Sequence, residues 1–382
     1  MLKRKVKIGV VGYEMEGARS GVGRFLAGVF EGLRELELDW EWLVFFKGLP
    51  FYDPAFEPDA LGRPSVVRPI FDHRPEARPI WWEQLRLPEI LREIEVDALF
   101  SPAYSLPLRL AVPGLLTLHD LSFEHLPGEF RFRERWRRRL LARWGARRAA
   151  RVLTTATTSV FDLERTYAVP REKMGLLPLA VDERFFAATG KADLSSLGIE
   201  RPYLLWLATL LPRRRVDLAI AAFAAVAKEY PELELVIGGA DRLPDRGQLA
   251  RWIAESGYAD RIRRLDYVPD ALVPELYAGA RLSFYLSSFE GFGLPPLESL
   301  AAGTPAIVAR GLELDVLWPS YPLRANLSRE PVVALTREVL ARLQRPKLIA
   351  EARLRLRQLS WRRAAEVLVE EIEAALPREP CG

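Results

Sequence analysis

Apolar residues along the chain come in short runs separated by helical or polar stretches, and the alternation repeats. "KVKIGVVGY" (residues 5–13) is a compact apolar run ending in glycine, as a strand buried on both faces of a parallel sheet requires. "SGVGRFLAGVFEGLREL" follows, with Val22, Phe25, Leu26, Val29, Phe30 and Leu33 at helical spacing. Strand, glycine loop and helix open a βαβ unit, and the same order continues through "WEWLVFF", "IEVDALFSP", "GLLTLHD" and "ARVLTTAT". Periodicity is lost over "LLPLAVDERFFAATGKADLSSLGIERP" and then restarts: "YLLWLATL", "LELVIGGA" and "RLSFYLS" read as strands, and "RVDLAIAAFAAVAKEYP" and "LVPELYAGA" as helices. The pattern predicts an α/β protein of two doubly wound, Rossmann-like domains with a cleft between them, divided near residues 183–200. Its expected parts are 1–185, 195–360 and a final helix over 361–378, with Ala364, Val367, Leu368 and Ile372 on one stripe, which caps either domain or crosses back to the first.

Bulk properties narrow the setting. A chain of 382 residues exceeds one ordinary core, which agrees with two domains. Its one cysteine, Cys381, excludes an internal disulfide framework, and no apolar run is long enough to cross a bilayer. The basic opening "MLKRKVKIGVVGYE" runs straight into a strand and does not read as a signal peptide, so a cytoplasmic location is expected. Arginine outnumbers lysine 47 to 8, a thermophile-like balance, yet the net charge is only +4. So small an excess argues against a dedicated nucleic-acid binder. The basic residues concentrate instead in 131–151, where ten arginines surround Trp136, Leu140 and Trp144 at i, i+4 spacing. Two readings stand for that segment: a solvated helix whose apolar stripe packs on its domain, or a peripheral contact with an anionic membrane.

The chemistry is written most densely in "SSFEGFGLPPLESLAAGTP", residues 287–305. A strand precedes it, Pro295 and Pro296 suit a first helical turn, and Gly303 suits the helix end. Glu290 then lies in the strand-to-helix loop and Glu298 about a turn into the helix. Amides of Gly291, Phe292, Gly293 and Leu294 at the helix start favour an anion, while two flanking carboxylates favour sugar hydroxyls. A diphosphate with sugar hydroxyls on both sides is a nucleotide sugar. Solvated loop and helix glutamates are the plain alternative.

With these residues in place, the chain resembles the family-four retaining glycosyltransferases of GT-B fold, with their E-x7-E signature. "SGVGRF", "WWEQLRLP", "LTLHDLSFEHLP", "VPREKMGLLPLAVDERF" and "YVPDALVPELYAGARLSFYLSS" agree in the same order along about 300 residues. The resemblance implies metal-independent transfer from a nucleotide-diphosphate sugar, a UDP or GDP sugar, to a glycan or lipid-linked acceptor, as in polysaccharide biosynthesis. It implies front-face attack, with the leaving phosphate taking the acceptor's proton. Glu290 is then assigned to the donor sugar, Glu298 to the nucleotide ribose, and Arg213 and Arg214 to the diphosphate. Gly21 and Gly23 bring the first domain's backbone close to the diphosphate or the acceptor, and His119 bonds the transferred sugar as a catalytic group. No other cofactor is expected, and no metal.

The chain departs from the family pattern at four places. Arg214 replaces a lysine, Ala208 and Thr209 stand where glycine and a phosphate-binding arginine occur, Ala156 where a serine is common, and 310–332 is shortened and rewritten. A relative of reduced activity, serving as a binding or partner subunit, is therefore a second reading. A sugar-nucleotide epimerase is a third, but it needs acid-base residues beyond His119.

Overall fold

The computed structural model describes residues 5–16, 21–48, 67–72, 78–341 and 345–377. Cys381 and His73 lie outside the described residues, as does Ser20 at the start of "SGVGRF". The chain forms two compact units, 1–180 together with 360–382, and 181–359.

The first unit opens with β1 (Val6–Val11), α1 (Gly21–Arg34), β2 (Trp40–Phe46) and β3 (Val67–Phe71). Next come α2 (Pro79–Trp81), a π-helical turn over Trp82–Arg86, α3 (Leu87–Ile94), β4 (Ala98–Ser101) and β5 (Gly114–Thr117). α4 (Ser122–His125), α5 (Phe132–Arg148), β6 (Arg151–Thr154), α6 (Thr157–Tyr167) and β7 (Met174–Leu176) complete its sheet. Seven strands pair in the order β3-β2-β1-β4-β5-β6-β7, every pair parallel. β1 and β4 are wholly apolar where their middles are buried, as strands covered on both faces must be. The strand order reverses between β1 and β4, which makes the loops after them the place where such a sheet receives ligands.

α5 contains both the basic residues and the apolar stripe read from the sequence, but it buries a different face. Ala142, Gly145 and Ala146 are its buried residues, while Trp136 and Leu140 are exposed and Trp144 is partly buried against the core. The reason is close approach: a Cβ on Gly145 would sit 2.8 Å from the Leu116 side chain of β5, so only small residues fit beneath the helix. The packed-stripe reading is thus corrected, and Phe132, Trp136 and Leu140 form an outward column.

The second unit holds α7 (Glu183–Ala187), β8 (Tyr203–Leu207), α8 (Val216–Val226), β9 (Glu234–Gly238), α9 (Gln248–Glu255) and β10 (Ile262–Leu265). α10 (Val273–Gly279), β11 (Leu282–Tyr285), α11 (Leu294–Ala301) and β12 (Ala306–Ala309) follow. α12 (Leu314–Leu317), β13 (Arg324–Ala325), α13 (Arg329–Ala341) and α14 (Arg345–Leu356) end it. Its sheet, β10-β9-β8-β11-β12-β13, repeats the same winding and reverses between β8 and β11. Gly239 lets the turns after β8 and β9 touch: its φ is +122°, and a Cβ there would lie 2.0 Å from the Ala208 carbonyl oxygen. The rewritten segment 310–332 is tied down by Tyr321, whose hydroxyl donates to the Ala306 carbonyl at 2.5 Å, and by an Arg324–Asp315 ion pair of 3.2 Å.

α15 (Trp361–Ala375) closes the chain and belongs to the first unit. Ser360 caps it by accepting from the Arg363 amide. Ala364, Ala365, Leu368 and Ile372 are buried, and Glu371 pairs with Arg151 of β6. Gly28 and Gly32 of α1 admit Trp361 so closely that a Cβ on Gly32 would fall 2.1 Å from the Trp361 carbonyl oxygen.

Candidate active site

In the second unit, the two loops that leave the sheet at its reversal point carry one ionic cluster. β8 leads into a 3-10 turn over Pro212–Arg214, and β11 leads into the Glu290 loop. Arg214 Nε donates to Glu290 Oε1 at 2.7 Å and its Nη2 to Oε2 at 3.3 Å, while Nη1 reaches the Thr209 carbonyl at 3.2 Å. This is the two-pronged geometry that a lysine cannot make. Arg213 Nε lies 3.6 Å from the same carboxylate, and Ser287 Oγ donates to it at 2.9 Å. The Ser288 amide bonds the Arg213 carbonyl at 2.9 Å, locking the two loops together. Burial alone would push the Glu290 carboxyl up, but Arg214, then Arg213 and Ser287, outweigh it and hold the group below its ordinary value. Glu290 is therefore an ionised carboxylate whose side chain is 9% exposed. The solvated-loop reading does not hold.

The helix behind it begins in an uncommon way. Gly293 occupies the N-cap with φ of +78°, beside the Tyr285 ring, and Pro295 and Pro296 fill the first turn. Two of the first three helical positions thus lack an N–H, and Leu294 has the one amide among them. Phe292 itself is a buried core residue. Glu298 is also buried, at 6% exposure, and its charge bears on the Arg184 guanidinium of α7, which is paired to Asp270 at 2.6 Å. It is no solvated helix position. Tyr285 and Ser287, which the spacing of the glutamates does not mark, complete the surroundings of Glu290; a serine in "YLSSFE" gives no sign of its partner until the loop is folded.

In the first unit, His119 follows β5 and is gripped by its neighbours. Its Nε2 lies 2.8 Å from the Pro102 carbonyl, which can only accept, so Nε2 carries the proton. Nδ1 keeps the lone pair, with Thr155 Oγ1 3.5 Å away. Burial lowers the imidazole's pKa and keeps the ring neutral. Phe25 of α1 meets the ring edge-on with centroids 5.1 Å apart, so the helix that starts at Gly21 and Gly23 is brought to His119. A Cβ on Gly21 would meet nothing within 4 Å, whereas Gly23 is buried. Asp120 is turned to a local task, accepting from the Ser122 amide at 2.8 Å. His125 Nε2 lies 2.7 Å from Asp162 Oδ1.

Comparison with known proteins settles the family. The model of "Glycosyltransferase Family 4" matches residues 19–185, and that of "Glycosyl transferases group 1" matches 193–313. The chain belongs to the family-four glycosyltransferases. The second match stops at Glu313, inside the 310–332 segment. Mannosylfructose-phosphate synthase of Agrobacterium fabrum is 30% identical over 190 residues, covering 47% of this chain and 41% of its own length. O-antigen chain mannosyltransferase B of Escherichia coli is 28% identical over 294 residues, covering 71% and 72%. Sucrose-phosphate synthase of Thermosynechococcus elongatus superposes with a TM-score of 0.76 over 97% of this chain and 98% of its own, at 17% identity, and so shares the GT-B fold.

Proposed function

We propose that this glycosyltransferase moves a sugar from a nucleotide-diphosphate donor, a UDP or GDP sugar, to a glycan or lipid-linked acceptor with retention of configuration and without a metal. The observation that carries the reading is the Arg213–Arg214–Glu290 cluster at the reversal point of the second sheet. The second unit takes the nucleotide sugar and the first the acceptor. Arg213, Arg214 and the amides of Gly291 to Leu294 neutralise the diphosphate, Glu290 accepts from the donor sugar's hydroxyls, and Glu298 from the ribose. The bond from the sugar's anomeric carbon to the diphosphate oxygen breaks. The acceptor oxygen bonds that carbon on the same face, and its proton passes to the departing phosphate. His119, held neutral with Nδ1 unprotonated, receives a hydrogen bond from a hydroxyl of the transferred sugar.

The acceptor side is read through α5. Its outward column of Phe132, Trp136 and Leu140 stands among arginines, the make-up of a helix lying on an anionic membrane surface, which supports a peripheral position at the inner membrane face. Among the described residues no helix is long and apolar enough to cross a membrane. A second reading, a relative of reduced activity serving as a partner subunit, rests on Ala208 and Thr209 and on the segment after Glu313.

One experiment separates the two. The full chain is screened for thermal stabilisation by UDP, GDP, ADP and their sugars, and for hydrolysis of each donor. A binder at a hundred times its Kd adds about 2.7 kcal/mol to the folded state. The enzyme reading expects one nucleotide to stabilise and its sugar to be hydrolysed. Stabilisation with no turnover of any donor transfers the case to the partner-subunit reading.

A further inference from the structure

Glu83, the one carboxylate of the "WWEQLRLP" stretch, is 1% exposed and lies in the π-helical turn. π-turns commonly persist where function holds them. Its partners are all neutral: Tyr13 Oη at 3.0 Å, Ser105 Oγ at 2.9 Å and Gln84 Nε2 at 2.9 Å. Burial raises this carboxyl above its ordinary value against the pull of these three hydrogen bonds, and no cation is among them, so its burial is costly and a role other than stability is the reason to look for. Tyr13 follows β1 and Ser105 follows β4, the two strands between which the first sheet reverses. Gln84 continues the connection, donating to the Leu106 carbonyl at 3.1 Å and accepting from the Leu108 amide at 2.8 Å.

The loop that Glu83 holds is the loop that holds His119. Pro102 to Ser105 is a tight turn with Tyr104 at a φ of +50°, a conformation that disfavours a side chain of that size. Ser101 Oγ donates to the Ser105 carbonyl at 2.6 Å, and the Tyr104 amide to the Thr117 carbonyl at 3.0 Å. At one end of the turn Ser105 is bonded to Glu83; at the other, the Pro102 carbonyl accepts from His119 Nε2. Between them the Tyr104 ring stands 6.1 Å from the imidazole, at 64°.

We propose that Glu83 is a positioning residue for His119: through Ser105 it fixes the Pro102–Ser105 turn, and the turn's Pro102 carbonyl fixes which ring nitrogen of His119 carries the proton. This rests on the role given to His119 above. With the turn released, Pro102 no longer selects Nε2–H, and the lone pair offered to a sugar hydroxyl at Nδ1 is shared between two tautomers.

The chain has three histidines, so imidazole 15N spectra of the full-length protein are simple to assign with a His119→Gln control. The measurement is the pair of His119 nitrogen shifts in the unaltered protein, in Glu83→Gln and in Ser105→Ala; the last removes one hydroxyl and leaves the carboxylate with Tyr13 and Gln84. The expected result is a single Nε2–H tautomer in the unaltered chain and convergence of the two nitrogen shifts in both variants. Turnover of whichever probe the chain hydrolyses, UDP-glucose or GDP-mannose, falls about tenfold with KM within about twofold, as loss of one oriented hydrogen bond predicts. Unchanged His119 shifts in both variants overturn the proposal. Full turnover in His119→Gln overturns the role of His119 instead, and leaves the tautomer measurement to decide the coupling on its own.

Discussion

Glu290 shows what a single residue contributes and how far a sequence can reveal it. Its place between a strand and a proline-started helix was legible, because glycine and proline fix backbone conformation whatever surrounds them. Its bidentate bond to Arg214 was not, since the two are 76 positions apart and meet only when β8 and β11 lie side by side. Replacing Glu290 with Gln keeps an acceptor for Arg214 and Ser287 but removes the charge. Turnover is expected to fall by about a hundredfold or more, the scale of losing one organised electrostatic contact, while UDP or GDP affinity measured by calorimetry moves by less than about threefold. The same variant tests the acid limb of stability. Because the folded carboxyl lies below its ordinary value of 4.5, its contribution is complete above the unfolded value and is lost as pH falls through the folded one. Melting temperatures from pH 7 down to pH 3 should therefore fall less steeply in Glu290→Gln than in the unaltered chain.

α5 carries the lesson at the scale of an element. Its existence, its arginines and its apolar spacing were all readable, but not which face would be buried. That choice follows the approach to β5, whose Leu116 side chain a Cβ on Gly145 would meet at 2.8 Å, and the buried residues of the helix are Ala142, Gly145 and Ala146. Arg135 then bonds the Phe123 and Glu124 carbonyls and Arg139 pairs with Glu124 at 2.6 Å, so part of the charge is spent inside the unit. Arg133, Arg137, Arg143 and Arg147 remain exposed beside Phe132, Trp136 and Leu140. The triple variant Phe132→Ser, Trp136→Ser, Leu140→Ser removes apolar surface only. Co-sedimentation with vesicles containing anionic phosphatidylglycerol should drop at least tenfold in the variant, and raised salt should weaken the unaltered chain's binding through the arginines. Equal sedimentation of the two proteins would remove the membrane reading of this helix.

On the scale of the whole molecule, the doubly wound architecture was the most legible feature, since strand and helix periods alternate along nearly the full chain. The return of α15 to the first unit was less so. Its stripe is plain in the sequence, but the surface that receives it is created by Gly28 and Gly32, which in "FLAGVFEGL" look like weaknesses in α1. Gly32→Ala should separate the two helices and lower the first unit's melting temperature by several degrees, read by calorimetry, because the intruding methyl meets backbone that cannot turn away. The same packing makes residues 181–359 an insert within the first unit, joined to it by the chain at both ends. One proteolytic cut at either junction, 180/181 or 359/360, thus yields no intact first unit as a single fragment, whereas the second could be released whole by cutting both. A gene for the first unit alone would have to splice residue 180 to residue 360, and its success or failure would show whether that unit folds without the insert.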